Sequence, residues 1–253
     1  AGLWITVDSM HGTGGRLLEQ LLEHTNCSVE TIRGYPDPLF GGNSPEPIMP
    51  QLEPLAARVR SSHSDIGLAT DGDADRIGVV TDSGRFVSTL ELLPLLLVHL
   101  HRRRGWLGTV AYTFSQSQLV GRIANHFGLN AIETPIGFKN IAELMLNETI
   151  LIGGEESGGI GFSCHLPERD GIAVHMLLLD LLAQTKKSLT QVIEEMWSEF
   201  GEFHYDRRDL HLPIETGVRL TNHLLKDPPT QFCDMRVTEV QTLDGVKLML
   251  QPD

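Results

Sequence analysis

Cysteine is scarce and scattered. The 253 residues contain three, Cys27, Cys164 and Cys233, with no CxxC pair. That spacing excludes a disulfide framework and a structural zinc site, and it suits a reducing cytosol. Positive charge is also short: 20 Lys and Arg stand against 33 Asp and Glu, for a formal net charge of -13 and a pI near 5.2. A nucleic-acid binder needs a basic face, so that class falls away. An acidic protein that takes a phosphorylated ligand must build a local cationic pocket or recruit a metal. Long apolar runs are lacking too. The most apolar stretch, 90–100, is too short for a bilayer and contains Pro94. No secretory pattern opens the sequence, so a cytoplasmic chain without membrane or nucleic-acid partners is expected. What remains is 41% apolar and 21% charged, ordinary globular material sufficient for two domains.

One stretch concentrates charge. Residues 65–82, DIGLATDGDADRIGVVTD, place Asp71, Asp73 and Asp75 at alternate positions with Arg76 directly behind. The apolar runs on either side read as strands, and the acidic cluster as a tight loop between them. Gly72 and Ala74 are small enough for the backbone to curl until three carboxylates converge. Like charges so close raise one another's pKa values. A divalent cation removes that penalty, and hard oxygen ligands without His or Cys suit magnesium, or else calcium or manganese. A solvated Asp-Gly turn is the plain alternative. Three alternate aspartates and an arginine between buried-looking strands argue against it. An EF-hand also begins D-x-D-x-D, but it wants Gly and Glu where this sequence has Arg76 and Asp82.

Residues 3–7 read as a buried strand, followed by DSMHGTGG and a helix over 16–24. A glycine-rich turn into a helix can hold a phosphate. Neither GK[ST] nor GxGxxG is present, so a structural turn is the reading. Residues 29–32 suit a strand, 35–50 a Pro- and Gly-rich surface loop, and 52–60 a helix. A hairpin turn at 82–84 follows the acidic loop, then a helix capped by Thr89 whose basic end, 101–104, complements the helix dipole. After a glycine-marked boundary the alternation restarts: strand 109–114, helix 118–127, strand 130–133, TPIGFK and a helix through 146, strand 150–152, GGEESGG. Asp170 and Thr190 cap two further helices. The fold class is therefore α/β, two tandem units with mainly parallel mixed sheets and ligand groups at strand C-termini. The acidic loop, TPIGFK and GGEESGG all fall at such ends. The expected divisions are 1–104, 105–205 and 206–253, the last an α+β piece that opens a third domain. No internal sequence repeat is visible.

DGDADR, TPIGFKNI and GGEESGG…HLPERDG, in this order and at this spacing, resemble the α-D-phosphohexomutase family of phosphoglucomutases and phosphomannomutases. The likeness covers nearly the whole chain. It implies phosphohexomutase-type α/β/α domains: 1–104 as the family's second, metal-binding domain, 105–205 as its third, sugar-binding domain, and 206–253 as the start of its fourth, phosphate-binding domain. By this resemblance Asp71, Asp73 and Asp75 hold Mg2+, and Arg76 contacts the transferring phosphate. Glu155 and Ser157 read neighbouring sugar hydroxyls. Gly137 lies near substrate, Lys139 approaches a phosphate or a proton-transfer position, and Arg169 lies near the active site. The implied substrate is a hexose phosphate, with a glucose 1,6-bisphosphate-like intermediate as activator. Such parts suit phosphoryl transfer, which needs in-line positioning and cancellation of charge. Arginine's planar fork fits phosphate oxygens, and a carboxylate fits a pair of hydroxyls.

The departures matter as much. No TASHNP-like segment with a phosphorylatable serine is present, and no RPSGTEP-like phosphate loop. The missing first and fourth domains are therefore expected partners, and the chain by itself is expected to be inactive. Some bacterial members carry a histidine two positions after the loop serine; here that position is Gly159. The proton carrier stays open among Lys139, Arg169, His165 and a residue outside the chain. Two other classes compete. LATDGDAD superficially fits a magnesium-dependent phosphatase with an Asp nucleophile, although its separate Lys and downstream acidic pair are not evident. A non-catalytic metal-binding module is the third reading.

Overall fold

The computed structural model describes residues 2–251. Its first sheet contains β1 (Trp4–Asp8), β2 (Ser28–Ile32), β3 (Ile66–Thr70), β4 (Ile77–Thr81) and β5 (Phe86–Val87), in the order β2-β1-β3-β4-β5. β1 runs parallel to β2 and β3; β4 and β5 are antiparallel additions. Every residue of β3 and β4 is buried, which is why both read as near-continuous apolar runs. Helix α1 (Leu17–Leu22) follows the glycine-rich turn. Helix α2 (Glu53–Ser62) buries Leu55, Ala56 and Val59 and ends at His63 in the left-handed conformation.

The second sheet contains β6 (Thr109–Thr113), β7 (Ala131–Thr134), β8 (Ile150–Gly154) and β9 (Ile160–Phe162), in the order β7-β6-β8-β9. β6 is parallel to β7 and β8, and β9 is antiparallel. Position for position, this is the order of the first four strands of the first sheet. Around it stand α3 (Thr89–Arg102), α4 (Gln118–His126), α5 (Phe138–Asn147), α6 (Gly171–Thr185) and α7 (Leu189–Phe200). Leucine-rich α3 is buried almost all round, between β8 and helices α4, α6 and α7. It precedes the divide expected at 104/105, yet it packs with the second sheet.

Two helix caps differ from expectation. Ser88, not Thr89, caps α3, in a reciprocal pair with Glu91. Ser188, not Thr190, caps α7, with Gln191 as its counterpart. In both, S-x-x-E/Q satisfies two orphan backbone donors, which the later threonine lacks the partner to do. Asp170 caps α6 as expected, accepting from the Ala173 amide at 2.9 Å. The basic end of α3 does more than complement a dipole. Arg102 pairs with Glu199 on α7, and Arg104 with Asp180 on α6.

A single apolar core joins the two sheets, running from Ile5, Leu68 and Val79 through Leu92 and Leu96 to Val110, Ile152 and Leu178. Each fully buried leucine contributes about 2 kcal/mol, so this shared core holds the units together. Helix α6 packs on β3, β4 and β9 and belongs to both. Residues 206–251 form α8 (Ile214–Lys226) and an antiparallel sheet of β10 (Gln231–Phe232), β11 (Met235–Gln241) and β12 (Lys247–Leu250). No residue of α8 is buried. This piece meets the second unit through Lys247, 2.5 Å from Glu133, and Asp244, which accepts from the Ile136 amide at 2.7 Å. Among the described residues, no helix is long and apolar enough to cross a membrane.

Candidate active site

The acidic loop joins β3 to β4 and organises itself. Asp71 is 1% exposed. Its Oδ1 accepts from the amides of Asp75 and Arg76 at 3.0 and 3.1 Å, and its Oδ2 accepts from Arg76 Nε at 2.6 Å. Ala74 takes the left-handed φ of +65° that the curl needs. One oxygen from each of Asp71, Asp73 and Asp75 lies within 4.8 Å of the others. Burial, with the charges of Asp71 and Asp73, pushes the Asp75 carboxyl up to about 6 against the pull of Arg169 and Arg76. Repulsion among the aspartates was anticipated; burial, the larger cause, depends on the fold. Three convergent carboxylates with no His or Cys form a donor set that fits a hard divalent cation, magnesium among them.

GGEESGG turns from β8 into β9, and its backbone is bonded directly to the acidic hairpin. The Ile77 amide donates to the Gly158 carbonyl at 3.1 Å, and Arg76 and Gly159 form an antiparallel bridge. Gly158 sits at φ +108°, and a Cβ there would fall 2.7 Å from the Ile77 carbonyl oxygen. Only glycine allows so close an approach. The Gly171 amide adds a third link, donating to the Ala74 carbonyl at 3.0 Å. Glu155 is buried, and desolvation pushes its carboxyl up although Arg169 and the Gly137 amide favour its charged form.

Arg169 reaches both loops. Its Nη2 lies 2.5 Å from Asp75 Oδ2, and its Nη1 lies 3.2 Å from Glu155 Oε2. The structure thus gathers Asp71, Asp73, Asp75, Arg76, Glu155 and Arg169 at one junction. Gly137, at φ +113°, begins α5 beside them. Lys139, two residues on, is exposed. Ser157 is half-buried in the turn after Glu155. His165 lies in another role: its Nε2 is 2.8 Å from Asp170, the α6 cap, and its ring stacks on Phe162.

Sequence reasoning passed over two supports. The 35–50 loop is more than surface: Phe40 and Pro45 close over Gly72, and the Pro47 carbonyl presses on Gly78. Its Glu46 adds negative charge near Arg76. The HGTGG turn braces the acidic loop, with the Thr13 amide donating to the Gly72 carbonyl at 2.9 Å. Glu156 is drawn aside by the Ser115 hydroxyl, leaving Glu155 as the carboxylate that this loop turns to the junction. The clue to both supports was the density of glycine and proline, which marks close backbone approach as well as turns.

Two α/β/α units, each presenting a loop between the third and fourth strands of the shared order, define a phosphohexomutase-type fold. Residues 1–84 match the family model for phosphoglucomutase/phosphomannomutase alpha/beta/alpha domain II, and residues 91–200 match that for domain III. The chain belongs to this family, the α-D-phosphohexomutases. The domain III match begins inside α3, in accord with the packing of that helix. A phosphoglucomutase/phosphomannomutase of Thermococcus kodakarensis is 30% identical over 97% of this chain and 52% of its own length. A phosphoglucomutase of Rhizobium radiobacter is 32% identical over 82% of this chain and 39% of its own. A solved structure of a putative phosphomannomutase from Thermus thermophilus superposes with a TM-score of 0.85 at 36% identity, covering 99% of this chain and 53% of that one. The chain spans about half the length of these relatives.

Proposed function

We propose that the chain is the metal-holding and sugar-reading part of a magnesium-dependent phosphohexose mutase, which moves phosphate between O1 and O6 of a hexose. The observation that carries this reading is the junction itself: a cation-type carboxylate cluster bonded, backbone to backbone, to a loop carrying a buried glutamate and a serine. The names of the relatives, phosphoglucomutase and phosphomannomutase, supply the substrate class.

In this reading Asp71, Asp73 and Asp75 hold magnesium, which when bound offsets negative charge on the transferring phosphoryl group. Arg76, fixed by Asp71, offers its remaining donors to phosphate oxygens. Glu155 accepts hydrogen bonds from two sugar hydroxyls, and Ser157 adds a third contact. Gly137 keeps the floor open, and Lys139 extends toward a phosphate. A phosphoserine elsewhere in the full-length protein loses its phosphoryl group to a sugar hydroxyl. That P–O bond breaks, a new one forms to the sugar, and the hydroxyl proton passes to a base. The bisphosphorylated sugar turns over and returns its other phosphate to the serine. A nucleophilic aspartate is the weaker reading, since Asp71 is buried and bonded through both oxygens.

By itself the chain binds without turnover. Calorimetric titration with glucose 1-phosphate in magnesium chloride is expected to show binding that Glu155→Gln lowers at least tenfold, with no mutase product. Binding unaffected by Glu155→Gln, or an aspartyl-phosphate trapped on Asp71 or Asp73, would overturn the reading.

A further inference from the structure

Arg169 joins the two loops, and its setting identifies what it does. Arg76, the other guanidinium of the junction, pairs with Asp71 and Asp75, within the acidic loop alone. Arg169 divides its fork between Asp75 of one unit and Glu155 of the other. Its stem fills the space that Gly159 leaves open: a Cβ at 159 would lie 2.3 Å from Arg169 Cδ. Its guanidinium sits 5.7 Å from the centre of the Phe138 ring, the first residue of α5. Its Nε makes no hydrogen bond and has only the Glu168 carboxylate at 3.6 Å for company. A donor this loosely engaged is available to a ligand at modest cost. A guanidinium does not give up its proton in proteins, so the part it plays is not proton transfer.

We propose that Arg169 couples cation binding at the acidic loop to hexose-phosphate binding at the Glu155 loop. The inference rests on the mutase reading above, since it needs both ligands. A dication among Asp71, Asp73 and Asp75 cancels the charge that draws Arg169 toward Asp75. The guanidinium then turns its free donors to the phosphate of the sugar, and Glu155 is released to accept sugar hydroxyls. In the other direction, a hexose phosphate that engages Arg169 leaves Asp75 open to the cation. Each ligand raises the affinity of the other, and linkage requires the two factors to be equal.

The test is calorimetry on the 253-residue chain. Magnesium chloride is titrated with and without saturating glucose 1,6-bisphosphate, and the order is then reversed, at matched free magnesium. In the wild type the bisphosphate is expected to raise magnesium affinity about fivefold or more, with the same factor in reverse. In Arg169→Gln each ligand still binds alone, and the factor falls below about twofold. Gly159→Ala displaces the stem while keeping the charge and is expected to lose the coupling equally. Arg169→Lys, whose single ammonium cannot span two carboxylates, retains part of it and serves if the glutamine variant misfolds. Coupling that survives both Arg169→Gln and Gly159→Ala would come from direct metal–phosphate attraction and would overturn the proposal. Independent binding of the two ligands in the wild type would overturn it while leaving the mutase reading standing. Absence of both ligands from the wild type would remove the two together.

Discussion

The β3–β4 loop and the β8–β9 loop occupy the same place in two sheets of the same strand order, and they are built in different ways. The first has a side-chain frame of its own, Asp71 bonding the amides of Asp75 and Arg76 and the Arg76 side chain, with the Thr13 and Gly171 amides bracing its backbone from outside. The second relies on glycines and on neighbours. Its own brace is one backbone bond, from the Glu155 amide to the Gly159 carbonyl, and its key carboxylate is held by Arg169 from beyond the turn. A self-organised acidic loop suits a fixed cation. A loop held from outside suits a ligand that must be accepted in two orientations, because its contacts can be exchanged. The shared topology supplies a position, and the local sequence decides the chemistry placed there.

Breaking the first loop should have the largest effect. Asp71→Asn removes the close charged partner of the partly buried Arg76 guanidinium and leaves it only Asp75 at 3.8 Å. A loss of about 3 kcal/mol in urea denaturation is expected, together with loss of calorimetric magnesium binding. The junction is sharpened by Gly158→Ala, which strains a positive φ and drives a methyl onto the Ile77 carbonyl. That substitution should cost about 2–3 kcal/mol. A chain that tolerated it without change would show the loops to be separable.

Acid probes α6, the helix the two units share. His175 is fully buried with neither ring nitrogen hydrogen-bonded; the Ala69 backbone lies near but outside bonding geometry. Burial pushes its pKa down to about 3 in the native state, against about 6.5 when unfolded. Between those values the unfolded chain takes up a proton that the native one refuses. The His175 contribution to stability is therefore complete above about pH 6.5 and falls as pH drops toward 3, by roughly 1.4 kcal/mol per pH unit. From near pH 7 to near pH 5, the wild type should lose about 2 kcal/mol more than His175→Leu. Equal losses would contradict this. The smallest effect belongs to the contact between the second unit and residues 206–251. Lys247→Met removes a partly exposed pair with Glu133 and should cost at most about 1 kcal/mol, with magnesium binding unchanged.

Much of this was legible because it is local. Ile66–Thr70 and Ile77–Thr81 announced themselves as strands by continuous apolar runs, and the aspartate spacing marked their loop. Asp170 was a readable cap because its partner, Ala173, lies three residues away. What escaped depends on long-range packing. The repeated strand order left no trace in sequence, since any apolar pattern of the right period serves a buried strand. The affiliation of α3 is set by contacts with β8 and α7, far along the chain. The loops 10–15 and 35–50 gave only turn signals, and the surface they close over exists only in the folded chain. Arg169 was singled out by its motif, but its hold on both Asp75 and Glu155 became visible only when the two hairpins came side by side.

The central claim is that the two loops make one site. Crystals grown with manganese chloride and glucose 1,6-bisphosphate test it directly, because manganese reports its own position by anomalous scattering. The account predicts an anomalous peak among the carboxylates of Asp71, Asp73 and Asp75, with hexose hydroxyls on Glu155 and Ser157 in the same cleft. Manganese bound elsewhere, or a sugar lodged away from Glu155, would contradict it.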